Sequence, residues 1–268
     1  MKLRILFYPV LLLVVLPIYS QEPNLDIFRS FSLSKNYSLV GSGEDYGYTD
    51  DVIQANSADF IVPYTLRGYD VKELRDSVLT LTIGNVYGNV EKSIAKWQNI
   101  PGVVDDFKTK EVNPPKEYNM SIWQECVNGD IIGLSDKMLT YRVMYYSYLG
   151  GAHGFTALSY INYYIPQQRI ISLRDILSPK GIESLPEFLL YKALSKDPDL
   201  KDMIHIESVP DGDTFYITDA GAICFVYGEY EIGPYSLGNF EIEVWPYEVI
   251  NDLTPFGRKL FDIGPQVD

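Results

Sequence analysis

LTYRVMYYSYLGGAHGFTALSYINYY, Leu139 to Tyr164, decides the fold. Aromatic and β-branched residues fill both arms and suit a pleated, half-buried sheet, while Gly150, Gly151 and Gly154 around His153 permit the positive φ of a turn or bulge. The stretch therefore predicts two long strands joined at the glycines, with the rest of the chain covering or extending them. Consecutive tyrosines such as Tyr145-Tyr146 and Tyr163-Tyr164 must place one ring on each face of that sheet, so some rings line the core and others a surface.

Downstream, Ser172 with Asp175 and Ser184 with Glu187 match the capping-box pattern and predict two helices, the second ending at Asp197 ahead of Pro198. Phe215–Ile217 and Ala222–Tyr227 flank a turn in which Gly221 suits the left-handed position. Phe240, Ile242 and Val244 alternate with Glu241 and Glu243, a strand with one wet face. A helix over Pro246–Leu253 and a further turn opened by Thr254-Pro255 close the pattern.

Upstream, Asn128-Gly129 between two apolar runs predicts a hairpin, because both residues tolerate positive φ. Phe60–Tyr64 reads as a short strand stopped by Pro63. Asp70 with Glu73 predicts a capped helix whose Val71, Leu74, Val78 and Leu81 share one face, and Asn89 caps a second helix lined by Val90, Ile94 and Trp97. Charged, proline-bearing Asp105–Glu117 reads as a linker. The whole is an α+β chain, an antiparallel sheet with helices packed on it, in two lobes at 21–117 and 118–268.

Residues 1–20 set Lys2 and Arg4 before an apolar run, Ile5–Ile18, that is broken by Pro9 and Pro17 and followed by Ser20. That is the layout of a secretory signal peptide, with cleavage expected after Ser20 and a periplasmic or secreted product. No later apolar run reaches the roughly 20 residues of a membrane span.

The chain carries 22 Lys and Arg against 36 Asp and Glu, a net charge of −14. Such a surface repels nucleic acid and anionic lipid and attracts basic partners. Cys126 and Cys224 are compatible with either a long-range disulfide or two separately buried thiols. With His153 and His205 the only histidines, the nitrogen and sulfur donors of a zinc site are too few, and no cofactor is expected. Asp211-Gly212-Asp213 lacks the remaining ligands of a calcium loop, Gly41-Ser42-Gly43 lacks the Gly-Lys-Ser/Thr of a phosphate loop, and no G-x-S-x-G elbow occurs.

His153, held between glycines at a strand end, has three roles open to it: tying down the turn, contacting a ligand, or acting as a general base. The loop Glu229-Tyr230-Glu231-Ile232-Gly233-Pro234-Tyr235 gathers acidic and aromatic groups and is a second recognition patch.

Three segments together carry a family resemblance: Tyr148-Leu149-Gly150-Gly151-Ala152-His153-Gly154; Phe215-Tyr216-Ile217-Thr218-Asp219-Ala220-Gly221; and Tyr230–Gly238 leading to Val244, Pro246 and Tyr247. The pattern over 118–261 resembles the extracytoplasmic module shared by RsiV-like anti-sigma factors and the non-catalytic N-terminal region of PdaC-like peptidoglycan deacetylases. The resemblance implies an exported, envelope-associated binding module whose ligand is cell-wall glycan, peptidoglycan, or a basic protein such as lysozyme. The expected site is Gly150, Gly151, His153, Gly154, Tyr230, Glu231 and Tyr235, with no catalytic set. The alternative is a small hydrolase or transferase working on envelope glycans through His153.

Overall fold

The computed structural model describes residues 25–34, 38–41, 52–99, 110–111, 121–210 and 214–264. The signal-like segment, most of the linker-like segment and Asp211–Asp213 lie outside the described residues. Within them, twelve strands form two sheets and five α-helices pack against them.

The larger sheet holds β1 (Ile27–Ser34), β2 (Ser38–Gly41), β3 (Val52–Leu66), β4 (Tyr69–Asp70), β5 (Lys110–Glu111), β6 (Ser121–Leu134), β7 (Met138–Tyr148), β8 (Phe155–Tyr164) and β9 (Arg169–Ile171). Its main path runs β5-β2-β3-β6-β7-β8-β9, and strands from both sides of residue 117 share it. All pairs are antiparallel except β3 with β6, because the helical crossover between those two strands returns the chain in the same direction. The second sheet is β10 (Phe215–Ile217), β11 (Ile223–Tyr227) and β12 (Phe240–Val244).

The Leu139–Tyr164 stretch makes the predicted pair, β7 against β8, in register from Met138 with Tyr164 to Ser147 with Phe155. The two-residue period of the strands sorts their side chains onto two cores. Leu139, Tyr141, Val143, Ile161 and Tyr163 pack with α1 (Lys72–Ile83) and α2 (Val90–Asn99). Met138 and Tyr164 point the other way, into a core shared with the small sheet, α3 (Leu173–Ile176), α4 (Pro179–Lys196) and α5 (Pro255–Leu260). The large sheet is thus the middle layer of three.

Two polar side chains on that second face join the sheets. Asn162, 2% exposed, donates from Nδ2 to the Phe215 carbonyl and accepts the Ile217 N–H at Oδ1, both at 3.0 Å. Thr140, its cross-strand neighbour, donates to the Ile217 carbonyl at 3.0 Å. The Asn162 side chain therefore replaces the strand partner that β10 lacks on that side.

Several local expectations hold. Asn89 accepts the Lys92 N–H, Ser172 and Asp175 form the capping box of α3, Thr254 caps α5, and Gly221 has φ +86°. Five fail. Asn128-Gly129 lies inside continuous β6, and the turn comes at Ser135–Lys137. A Cβ at residue 129 would run into the Tyr141 hydroxyl and Phe60, so the glycine answers to packing and not to a turn. Pro63 does not stop β3, because β3 has already parted from β6 after Phe60 and Gly129, where a missing donor is tolerated. The second capping box is bypassed: α4 starts at Ser178, which accepts the Gly181 N–H, and runs through Ser184 and Pro186. Asp70 caps nothing, since it lies in β4 and pairs with Arg75, leaving Val71 as the N-terminal boundary of α1. The predicted helix over Pro246–Leu253 is a run of turns ending in a bridge from Leu253 to Leu177.

Candidate functional site

The β7–β8 turn and the loop after β11 meet at one end of the molecule. Gly150 and Gly151 adopt φ +86° and +96°, and the Tyr148 hydroxyl closes the turn on the Gly151 carbonyl at 3.0 Å. Gly154 has no positive φ, and its constraint is contact: a Cβ there would enter the Tyr146 ring. The turn aims His153 outward, where it is exposed.

Opposite it, the Glu231 carboxylate takes the Gly228 N–H at 2.7 Å and the Glu231 N–H bonds the Gly228 carbonyl at 3.1 Å, folding the loop tightly. Tyr230 sits at the crest with φ +66°, a left-handed conformation uncommon for a bulky residue and held by the bonds on either side. Its ring is 58% exposed.

The result is an aromatic shelf. The His153 and Tyr235 rings stack with centroids 3.7 Å apart and planes 18° from parallel, and Tyr230 lies 5.5 Å from Tyr235. His153 Nδ1 faces the Gly154 carbonyl at 3.0 Å, and Nε2 faces the Tyr230 hydroxyl at 3.1 Å. A carbonyl only accepts, so Nδ1 donates to it, and in the neutral ring Nε2 accepts from Tyr230. The Tyr235 hydroxyl donates to the same Gly154 carbonyl at 3.2 Å. Desolvation, then the Glu229 carboxylate and the Tyr146 and Tyr230 phenols, raise the Tyr235 phenol above its ordinary range, so it stays a neutral donor at pH 7.

The structure thus brings together His153, Gly154, Tyr230 and Tyr235, with Gly150 and Gly151 supplying the turn. Glu231 serves the loop's own fold. Sequence reasoning missed Tyr146, which lies under Gly154, and Glu229 as a contact of β8, where its carboxylate accepts the Thr156 N–H at 3.2 Å. The Glu229 contact joins positions 73 apart in sequence, and the Tyr146 contact depends on how the β7–β8 turn folds back over the strand end.

Cys126 and Cys224 are free thiols on β6 and β11, the second buried. His205 is exposed, and its imidazole meets neighbouring Glu207 at 2.7 Å. Among the described residues no three of His, Cys, Asp and Glu gather as a metal site, and no helix is long and apolar enough to cross a membrane.

Residues 174–248 match the family described as "Protein of unknown function (DUF3298)". A crystal structure of a DUF3298 family member from Bacteroides fragilis is 17% identical and superposes with a TM-score of 0.65, covering 90% of this chain and 98% of that one. A DUF3298 family protein from Pseudomonas aeruginosa PAO1 is 19% identical with a TM-score of 0.50, covering 86% and 96%. No curated protein matches the chain. At these identities the likeness is one of fold, and the chain joins a DUF3298-like segment at 174–248 to a three-layer architecture shared with solved members of that family.

Proposed function

We propose that the protein is an exported, non-catalytic binding module of the bacterial envelope, and that the His153, Tyr235 and Tyr230 shelf receives a sugar ring of cell-wall glycan. The observation that carries this reading is the commitment of the shelf's polar atoms. Nδ1, Nε2 and both phenolic hydroxyls are spent on holding three rings in place, leaving an exposed aromatic surface suited to stacking. The glycine-rich turn and its resemblance to envelope modules support the same reading.

Purified protein should co-sediment with peptidoglycan, and Tyr230→Ala and His153→Ala should each weaken binding about fivefold or more while leaving circular dichroism unchanged. Absence of binding at low salt would remove the reading. N-terminal sequencing of the exported protein should begin at Gln21.

Two rival readings have observations of their own. The acidic balance of the chain and the Glu229–Glu231 loop favour a basic protein such as lysozyme, and a salt-sensitive lysozyme pull-down insensitive to Tyr230→Ala would select it. The Tyr230 hydroxyl on Nε2 favours acid–base chemistry on glycans, and turnover of labelled peptidoglycan abolished by His153→Gln would select that.

A further inference from the structure

On the far side of Tyr230 the surface falls into a groove of about 360 Å³ lined by Phe155–Leu158 of β8, Thr214, Val226, Glu229, Glu231 and Asn239. β8 pairs β7 along its length but meets β9 only from Asn162 to Tyr164. Among the described residues, no strand pairs the outer edge of Phe155–Ile161.

That edge is open over a short window. Thr156 turns its N–H away from β7 to the Glu229 carboxylate, and by the strand's two-residue period Leu158 and Tyr160 turn theirs the same way. Glu229 closes the window at Thr156. At the other end Tyr160 stacks on Tyr216 with centroids 4.8 Å apart, and Asn162 holds β10. Leu158 lies between the two closures, so the groove suits a short peptide and not a long strand.

The groove's chemistry is that of an acceptor. Glu229 and Glu231 stand on its wall, and among the described residues no Lys, Arg or His lines it. Asn239 also lines it, and its Oδ1 is buried with no hydrogen-bond partner. A buried acceptor left unpaired is costly, and a small rotation of the side chain into the groove would let an incoming donor recover that cost. Phe155, 46% exposed, and Tyr230 offer ring faces beside the acceptors, an arrangement that favours a cation.

We infer that this groove binds a short peptide carrying a free ammonium side chain, its backbone pairing with Leu158 and its amine reaching Asn239 Oδ1 and Glu229. Resting on the glycan reading above, the peptide is the amine-bearing stem of the wall polymer, held with its sugar on the adjoining shelf. The closed ends of the window and the shared Tyr230 wall select a stem peptide over a segment of a folded protein.

Isothermal titration of the full chain at low salt tests this with four probes: a synthetic stem pentapeptide with a free lysine amine, the same peptide Nε-acetylated, an all-L lysine pentapeptide, and chitotetraose as bare glycan. The free-amine stem peptide should bind, acetylation should weaken it about tenfold, and the all-L peptide should bind more weakly. Asn239→Asp should tighten the free-amine peptide a few-fold, and Glu229→Gln, which keeps an acceptor for Thr156, should weaken it. Leu158→Pro removes one outward N–H at an edge where proline is tolerated, and should weaken the peptide while leaving chitotetraose binding intact. Should that variant not fold, a peptide N-methylated next to its lysine reads the same pairing.

Equal binding of the free and acetylated peptides overturns the inference. Chitotetraose binding without peptide binding removes the groove and spares the shelf, whereas binding of neither removes both. An all-L peptide that binds as well as the stem peptide reassigns the groove to protein segments. A dimer dissolved by Leu158→Pro gives the edge to a second copy and also overturns it.

Discussion

Asn162→Ala should detach the small sheet from the large one. The side chain makes two buried hydrogen bonds to β10 at 3.0 Å each, to the Phe215 carbonyl and from the Ile217 N–H. Alanine leaves both backbone groups without a partner at a site 2% exposed. Each such orphan costs about 1–3 kcal/mol, so the sum is about 2–6 kcal/mol before any relaxation lets water in. Against a total stability of about 5–15 kcal/mol that is a large fraction. For a chain of this size, roughly 2–4 °C of melting temperature is lost per kcal/mol, so the drop should be about 4–24 °C. Thr140→Val is the internal control: it removes one donor to the Ile217 carbonyl, keeps the side-chain volume, and should cost about 1 kcal/mol. Urea unfolding at matched slopes gives both numbers, and amide exchange at Phe215–Ile217 should accelerate more in Asn162→Ala than exchange in β6. A cost below about 1 kcal/mol, or one no larger than that of Thr140→Val, would refute the view that this one amide stands in for a missing strand.

Gly129→Ala should destabilise the large sheet by about 1–3 kcal/mol through overpacking against Phe60 and the Tyr141 hydroxyl, and Tyr141→Phe should recover part of that loss in the double variant if the clash is the cause. Burial, with the Glu241 and Glu243 carboxylates adding to it, pushes the Cys224 thiol up to about 12, so iodoacetamide at pH 8 should label Cys126 in the native chain and reach Cys224 only after unfolding. Because the folded value lies above the ordinary 9.0, the thiol's contribution to stability is whole below pH 9 and fades as pH climbs toward 12; Cys224→Ala should flatten that decline. Desolvation raises the Asp175 carboxyl, but the Ser172 N–H and hydroxyl and the Arg169 guanidinium outweigh it and hold the group below the usual range. Its stabilising effect is therefore present above its ordinary value and lost as pH falls through the folded one, so the gap in urea midpoint between wild type and Asp175→Asn should close on acidification.

The Leu139–Tyr164 pair was legible because its signals are local: ring and β-branched side chains for the strands, glycines where φ turns positive. The caps at Asn89, Ser172 and Thr254 were legible for the same reason, since each is a side chain bonded to backbone about three residues away. Asn128-Gly129 carries the strongest hairpin dipeptide in the chain and makes no hairpin, because Tyr141, Phe60 and Thr82 arrive from three other elements to occupy the space that a side chain would need. The parallel pairing of β3 with β6 was equally invisible, since it depends on how the α1 and α2 crossover returns the chain.

The site divides along the same line. His153 and the Tyr230–Tyr235 loop stood out one by one as residue types in exposed contexts, but the 3.7 Å stack between them joins positions 82 apart in sequence. The glycine-flanked strands, the acidic surface and the capped helices follow from the sequence alone, because short-range sterics, charge and hydrogen bonding set them. The shared shelf, the open β8 edge and the unpaired Asn239 acceptor exist only once the small sheet docks on the large one, since contacts between distant residues are made by packing and not by local preference.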